Sequence, residues 1–177
     1  MSKILITGGF GFVGSNIALK GLQLGHEIII MDNLSRSGSE LNFNTLKKSG
    51  EFKYFIKDTR IMNDVEYVIK EVKPDFIFHL AGQVAMTTSI IDPLNDFQTN
   101  VLGTLNILES IRLYMPNAFI INASTNKVYG DTPNFLPIVE KKERYGRNPK
   151  TREIYLINSR KSVSFTASKK LIKKINS

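Results

Sequence analysis

Lys3-Ile4-Leu5-Ile6-Thr7-Gly8-Gly9-Phe10-Gly11-Phe12-Val13-Gly14 is the stretch that decides the fold. Its first five residues form an apolar run of the kind a buried strand needs. Gly8, Gly11 and Gly14 follow at intervals of three. A glycine at a strand end permits a tight turn, and a second lets the backbone approach a pyrophosphate. A third allows the next helix to pack close to the sheet. The apolar spacing from Val13 to Leu24 then predicts a helix stopped by Gly25. The start of that helix directs free N–H groups and the positive end of its dipole at an anion. A glycine triplet between a strand and a helix is the context that gives the motif meaning.

Outward from the loop, strands and helices alternate. Glu27–Met31, Phe52–Ile56, Phe76–Leu80 and Ala118–Asn122 read as further strands. Helices are predicted near Leu41–Lys48, over Asn63–Val72 before Pro74, and over Asp96–Tyr114 before Pro116. The strands are continuous apolar runs rather than alternating ones, which suits a parallel sheet covered on both faces. Right-handed crossovers then favour an α/β doubly wound sheet, order 3-2-1-4-5.

Asp32 closes the second predicted strand. A dinucleotide fold places there the carboxylate that accepts hydrogen bonds from the adenosine ribose hydroxyls. It repels a 2′-phosphate, so the expected cofactor is NAD. Arg36 is the residue that would instead welcome the phosphate of NADP.

The 177 residues are 42% hydrophobic and 23% charged, enough to bury a core. There is no cysteine, hence no disulfide framework and no thiolate metal site. His26 and His79 are far apart in sequence, and His79, beside apolar residues, is expected to be structural. No apolar run approaches the roughly 18 residues a membrane span needs, and the first residues do not resemble a signal peptide. A cytoplasmic protein is expected. Charge is uneven: residues 1–140 hold 12 Lys+Arg against 14 Asp+Glu, and residues 141–177 hold 12 against 2. Two segments are expected, an NAD-binding domain over 1–140 and a basic segment over 141–177. The latter is expected to be helical near 165–176 or partly disordered. It carries no recognisable nucleic-acid motif, so a solvated tail is expected rather than a nucleic-acid site.

Five ordered motifs carry a family resemblance. They are the Thr7–Gly14 loop, Asp32-Asn33-Leu34-Ser35-Arg36, His79-Leu80-Ala81-Gly82, Asn100-Val101-Leu102-Gly103-Thr104, and Ser124-Thr125 with Val128-Tyr129-Gly130. Together they resemble the extended short-chain dehydrogenase/reductase family, the Rossmann-type, NAD-dependent nucleotide-sugar epimerases and dehydratases. Gly82–Ser89 and Ser124–Tyr129 are similar to its CDP-tyvelose (CDP-paratose) 2-epimerase branch. The resemblance covers residues 1 to about 140. It implies an isomerase that transiently oxidises a sugar carbon and returns the hydride. It implies cofactor contacts at Gly8, Gly11, Phe12, Val13, Gly14, Asp32, Asn33 and Arg36, at Asp58 toward the adenine amino group, and at Thr59, Leu80, Ala81 and Gly82. Asn100 would support the active-site backbone, and Thr125 would be the catalytic hydroxyl. Pairing into a homodimer is a further implication.

The pattern breaks at the family's Tyr-x-x-x-Lys pair. No tyrosine here is followed four residues later by lysine. Phe165-Thr166-Ala167-Ser168-Lys169 has the spacing, but Phe165 lacks a hydroxyl, leaving Lys169 as the candidate ribose contact. The chain also stops where the family adds a substrate-gripping C-terminal domain, so a truncated epimerase is expected, with nucleotide-sugar binding in doubt. Two alternatives stay open: a non-catalytic NAD-binding module, and a binder of nucleic acid or anionic surfaces through the basic segment.

Overall fold

The computed structural model describes residues 1–124, 138–147, 154–157 and 160–163. The chain divides into two compact units, Met1–Ala123 and Ser124–Ser177.

The first unit is a five-stranded parallel sheet of β1 (Lys3–Thr7), β2 (Glu27–Asp32), β3 (Lys53–Ile56), β4 (Phe76–His79) and β5 (Phe119–Asn122), in the order β3-β2-β1-β4-β5. This is the doubly wound arrangement expected from the alternating runs. Side chains alternate across β1, so Leu5 and Ile6 enter different cores. On one face α3 (Met62–Val72) and α6 (Gly103–Tyr114) pack Val65, Val68, Ile69, Ile107 and Ile111 against Leu5, Ile29, Met31 and Ile77. On the other, α1 (Phe12–Gln23) and α2 (Ser39–Ser49) bring Ala18 and Leu46 to Ile6, Phe10, Ile28 and Ile30. The central strands are therefore apolar on both faces, as the unbroken runs demanded. Gly25, at φ +75°, ends α1 as predicted, its N–H bonding the Leu22 carbonyl.

The predicted helix over Asp96–Tyr114 is interrupted. Short helices α4 (Met86–Ile91) and α5 (Pro93–Phe97) precede a π-helical turn over Gln98–Leu102, and only then does α6 run to Tyr114. Asp92 caps α5 by accepting from the Asn95 N–H, with Pro93 in its first turn. That Asp-Pro start lay within reach of a sequence reading, but the π turn did not. One extra residue in a turn leaves the apolar periodicity almost intact, and such turns gather at functional sites. No helix among the described residues is long and apolar enough to cross a membrane.

In the second unit, β6 (Ile138–Lys141) pairs antiparallel with β9 (Arg160–Val163), and β7 (Arg144–Arg147) with β8 (Ile154–Ile157). Lys141 faces Arg160 and Arg144 faces Ile157, the same offset along both strands, so the two ladders keep a single register. Residues 165–176, expected to be helical or partly disordered, lie outside the described residues.

Candidate functional site

The carboxyl ends of the parallel strands surround a cavity of about 470 Å3. It sits where the strand order reverses between β1 and β4, the position doubly wound sheets reserve for ligands. Gly8, Gly11, Asp32, Asn33, Arg36, Asp58, Thr59, Leu80, Ala81 and Gly82 all line it.

The glycine loop forms one wall. Gly8 has φ +67°, and a Cβ there would sit 2.8 Å from the Ala81 nitrogen, so only glycine fits both the turn and the approach. A Cβ on Gly14 would run into the Gly8 carbonyl oxygen. The first turn of α1 thus lies directly against the loop. Phe12, Val13 and Gly14 belong to that turn, whose N–H groups have no carbonyl one turn back within the helix. None of the three lines the cavity; Phe12 is 81% exposed, and Phe10, not Phe12, is the loop's buried aromatic.

Asp32 fixes this geometry from the end of β2. One carboxylate oxygen accepts from the Phe10 N–H at 2.9 Å and the other from the Leu34 N–H at 2.8 Å. Each oxygen keeps lone-pair capacity toward the cavity. Leu34 adopts φ 55°, unusual for a branched side chain. Its N–H bond to Asp32 and its packing against the Ile6–Phe10 cluster hold it there.

Asp58 closes the opposite wall. Its Oδ1 accepts from the Arg60 N–H (2.9 Å) and Nε (3.0 Å), and its Oδ2 from Arg60 Nη2 (2.6 Å) and Asn33 Nδ2 (2.9 Å). Burial alone would push the carboxyl up, but the hydrogen bonds from Arg60 and Asn33 prevail and hold it down at about 2. Arg60 Nη1 also donates to Asn95 Oδ1 at 2.8 Å, tying this wall to α5. Arg60, Asn95, Thr88 and Thr99 line the cavity and were missed from sequence. Arg60, two residues after an acid already singled out, was the one with a local signal.

Asn100 lies in the π turn and does not line the cavity. Its side chain grips the main chain of Gln83, accepting from the N–H at 2.8 Å and donating to the carbonyl at 2.9 Å. It therefore holds the main chain at Gln83 from behind the cavity wall. Thr125, Phe165 and Lys169 lie outside the described residues. Among the described residues no cluster of His, Cys, Asp or Glu suits a metal ion.

Residues 5–151 match the family model for GDP-mannose 4,6 dehydratase, and residues 135–176 match one for bacterial DNA-binding protein. The chain is 53% identical over 133 residues to a CDP-paratose 2-epimerase of Salmonella typhi, covering 75% of this chain and 39% of that protein. A UDP-glucose 4-epimerase from Thermus thermophilus, solved with NAD, is 37% identical, with a TM-score of 0.56 over 63% of this chain and 34% of the other. A UDP-glucose 4-epimerase from Bifidobacterium longum, solved with NAD+ and UDP, is 27% identical, with a TM-score of 0.66 over 72% of this chain and 38% of the other. The chain thus spans about two fifths of the length of the curated relatives it matches first.

Proposed function

As a member of the GDP-mannose 4,6 dehydratase family, whose model spans residues 5–151, the chain has a sheet unit that, we propose, binds NAD and serves as the cofactor half of a nucleotide-sugar epimerase. The observation that carries this reading is the tight glycine loop at the cavity, where a Cβ on Gly8 would meet the Ala81 backbone and one on Gly14 the Gly8 carbonyl oxygen, with Gly8 and Gly11 lining the cavity. The N–H groups opening α1 meet the pyrophosphate. Asp32, its carboxylate already fixed by two backbone amides, accepts the adenosine ribose hydroxyls and disfavours a 2′-phosphate. Asp58, Thr59 and Arg60 receive the adenine end, and Leu80–Gly82 the nicotinamide ribose. Bound NAD would supply a hydride acceptor for transient oxidation of a sugar carbon. Thr125 is the chain's candidate to hold the sugar hydroxyl and pass its proton, and Lys169 its candidate ribose contact. The relatives' names support CDP- or UDP-linked sugars as the substrate class. The exposed apolar positions Phe97, Val101, Leu105 and Leu108 support pairing of two copies along α5 and α6. Titration calorimetry with NAD and NADP tests the reading: NAD should bind the more tightly, and Gly11→Val should abolish binding. Equal NAD affinity in wild type and Gly11→Val would remove the loop as the site.

A second reading concerns the other unit. We propose that the ribbon of β6–β9 binds duplex DNA. The match of residues 135–176 to the bacterial DNA-binding model supports this, as do the single register of the two ladders and the 12 Lys+Arg against 2 Asp+Glu of residues 141–177. A two-stranded ribbon is narrow enough to enter a groove. This reading departs from the expectation of a merely solvated tail. Fluorescence anisotropy with a labelled duplex at several salt concentrations tests it. Affinity should fall linearly with salt on logarithmic axes, and no binding even at low salt would end the reading.

A further inference from the structure

We propose that Thr7, His79 and Thr104 form a one-way hydrogen-bond relay, with His79 held as the neutral Nε2–H tautomer, that positions the Leu80–Gln83 segment against the glycine loop. The significance of that segment for NAD rests on the function proposed above; the relay itself rests on proton counting.

Thr104 Oγ1 lies 2.7 Å from the Asn100 carbonyl oxygen, which can only accept. The hydroxyl proton is therefore used, and at the 3.1 Å contact with His79 Nε2 the hydroxyl oxygen must accept. The ring proton is thereby placed on Nε2. In a neutral imidazole Nδ1 is then bare, and it accepts from the Thr7 hydroxyl 2.6 Å away. With its proton committed to His79, Thr7 Oγ1 is free to accept from the Leu80 and Ala81 N–H groups, each at 3.3 Å. Every donor finds an acceptor and the direction runs one way, from Ala81 through Thr7, His79 and Thr104 to Asn100.

A doubly protonated ring breaks the circuit. Thr7 Oγ1 would have to accept from Nδ1–H and the Ala81 amide together, the Leu80 N–H being shared with the Thr7 carbonyl oxygen at 3.1 Å, and its own proton would face only donors. Thr7 and His79 are 0% and 2% exposed, so no solvent relieves the conflict. The circuit closes on the cavity wall at both ends. Thr7 holds Leu80 and Ala81, Asn100 holds both main-chain groups of Gln83, and the relay ends on the Asn100 carbonyl. Gly8 follows Thr7 directly and passes so close to Ala81 that a Cβ would sit 2.8 Å from its nitrogen. His79 is thus a positioning residue joining β1, β4 and α6 behind the wall.

The test is long-range 15N–1H spectroscopy on the full, ligand-free chain, with Thr104→Val and Thr104→Ser as variants. Wild type and Thr104→Ser should show His79 as the Nε2–H tautomer, with the Ala81 amide protected from exchange. Thr104→Val should give a mixed tautomer, weaken that protection and raise the NAD dissociation constant roughly three- to tenfold, one hydrogen bond's worth. An Nδ1–H ring in wild type overturns the proposal, and that spectrum decides it even if Thr104→Val does not fold. An unchanged ring in Thr104→Val, or no rescue by serine, overturns it as well. Failure of wild type to bind NAD would sink the proposed function instead, leaving the relay to be judged by the ligand-free spectrum.

Discussion

The two units treat charge in opposite ways. In the sheet unit several acids and bases sit in pairs: Asp58 with Arg60, Asp64 with Lys57, Glu66 with Lys70, Glu109 with Arg112. The second unit is lopsided instead, with 12 Lys+Arg against 2 Asp+Glu over residues 141–177. A two-stranded ribbon is marginal by itself in water. The difference teaches where each unit draws its stability. The sheet has two apolar cores and needs only local neutrality. The basic segment carries an excess of positive charge that a polyanion would neutralise.

The sharpest way to break this comparison is to damage one unit and read both. Gly8→Val places a branched side chain at φ +67° and into the Ala81 backbone. Strain and overpacking together should cost roughly 2–5 kcal/mol of sheet stability and abolish NAD binding. DNA binding by the ribbon should persist. Loss of both in one anisotropy and calorimetry series would mean that the units do not act independently.

Acid comes next. Burial holds His79 down at about 4 against an ordinary 6.5, so the folded chain resists protonation and the unfolded chain does not. Stability from this group is complete above 6.5 and is lost as pH falls from there to about 4. The loss should be about 3 kcal/mol. Asp58, lowered from 3.8 to about 2, contributes above 3.8 and is lost only below it, so the two windows separate. Urea unfolding across the first window should show a steep slope in wild type and a shallow one in His79→Gln. Matching slopes would reassign the effect to another group.

Asp32→Ala is milder. It removes two bonds to backbone amides and both ribose acceptors. NAD affinity should drop by about 1–3 kcal/mol, measured by calorimetry, with discrimination against NADP reduced as the carboxylate's repulsion disappears. Unchanged discrimination would show that the carboxylate does not set the preference.

Much of the sheet unit was legible because its signals are local and redundant. The apolar runs, the glycine spacing and Gly25 each state one thing about one segment, and each agrees with its neighbours. What stayed hidden is relational. Nothing around His79 in sequence shows that Thr7 and Thr104 bracket its ring, since these residues meet only through parallel pairing and the path of α6. Asp92-Pro93 was a visible start signal passed over, whereas the π turn that aims Asn100 at Gln83 leaves no periodic trace. In the basic segment, charge was visible but the pairing was not. A ladder partner lies up to 25 residues away, and no short stretch of sequence names it.

The smallest expected effect tests the ribbon's half of the comparison through two neighbours of opposite sign. Lys142 and Glu143 are both exposed and lie between the paired stretches β6 and β7. If the ribbon neutralises phosphates, Lys142→Gln removes one counterion-releasing contact. The slope of log affinity against log salt should become shallower by about 0.9, with affinity falling modestly for every duplex sequence. Glu143→Gln removes a repulsion without adding a contact, so affinity should rise slightly at low salt. Neither change should move NAD binding or the unfolding of the sheet. A structural role for the segment predicts otherwise: both variants would shift stability and leave the salt slope alone. Because the two substitutions have nearly the same size and differ in sign of charge, an equal effect of both on DNA affinity would show that the segment's electrostatics are not what holds the duplex.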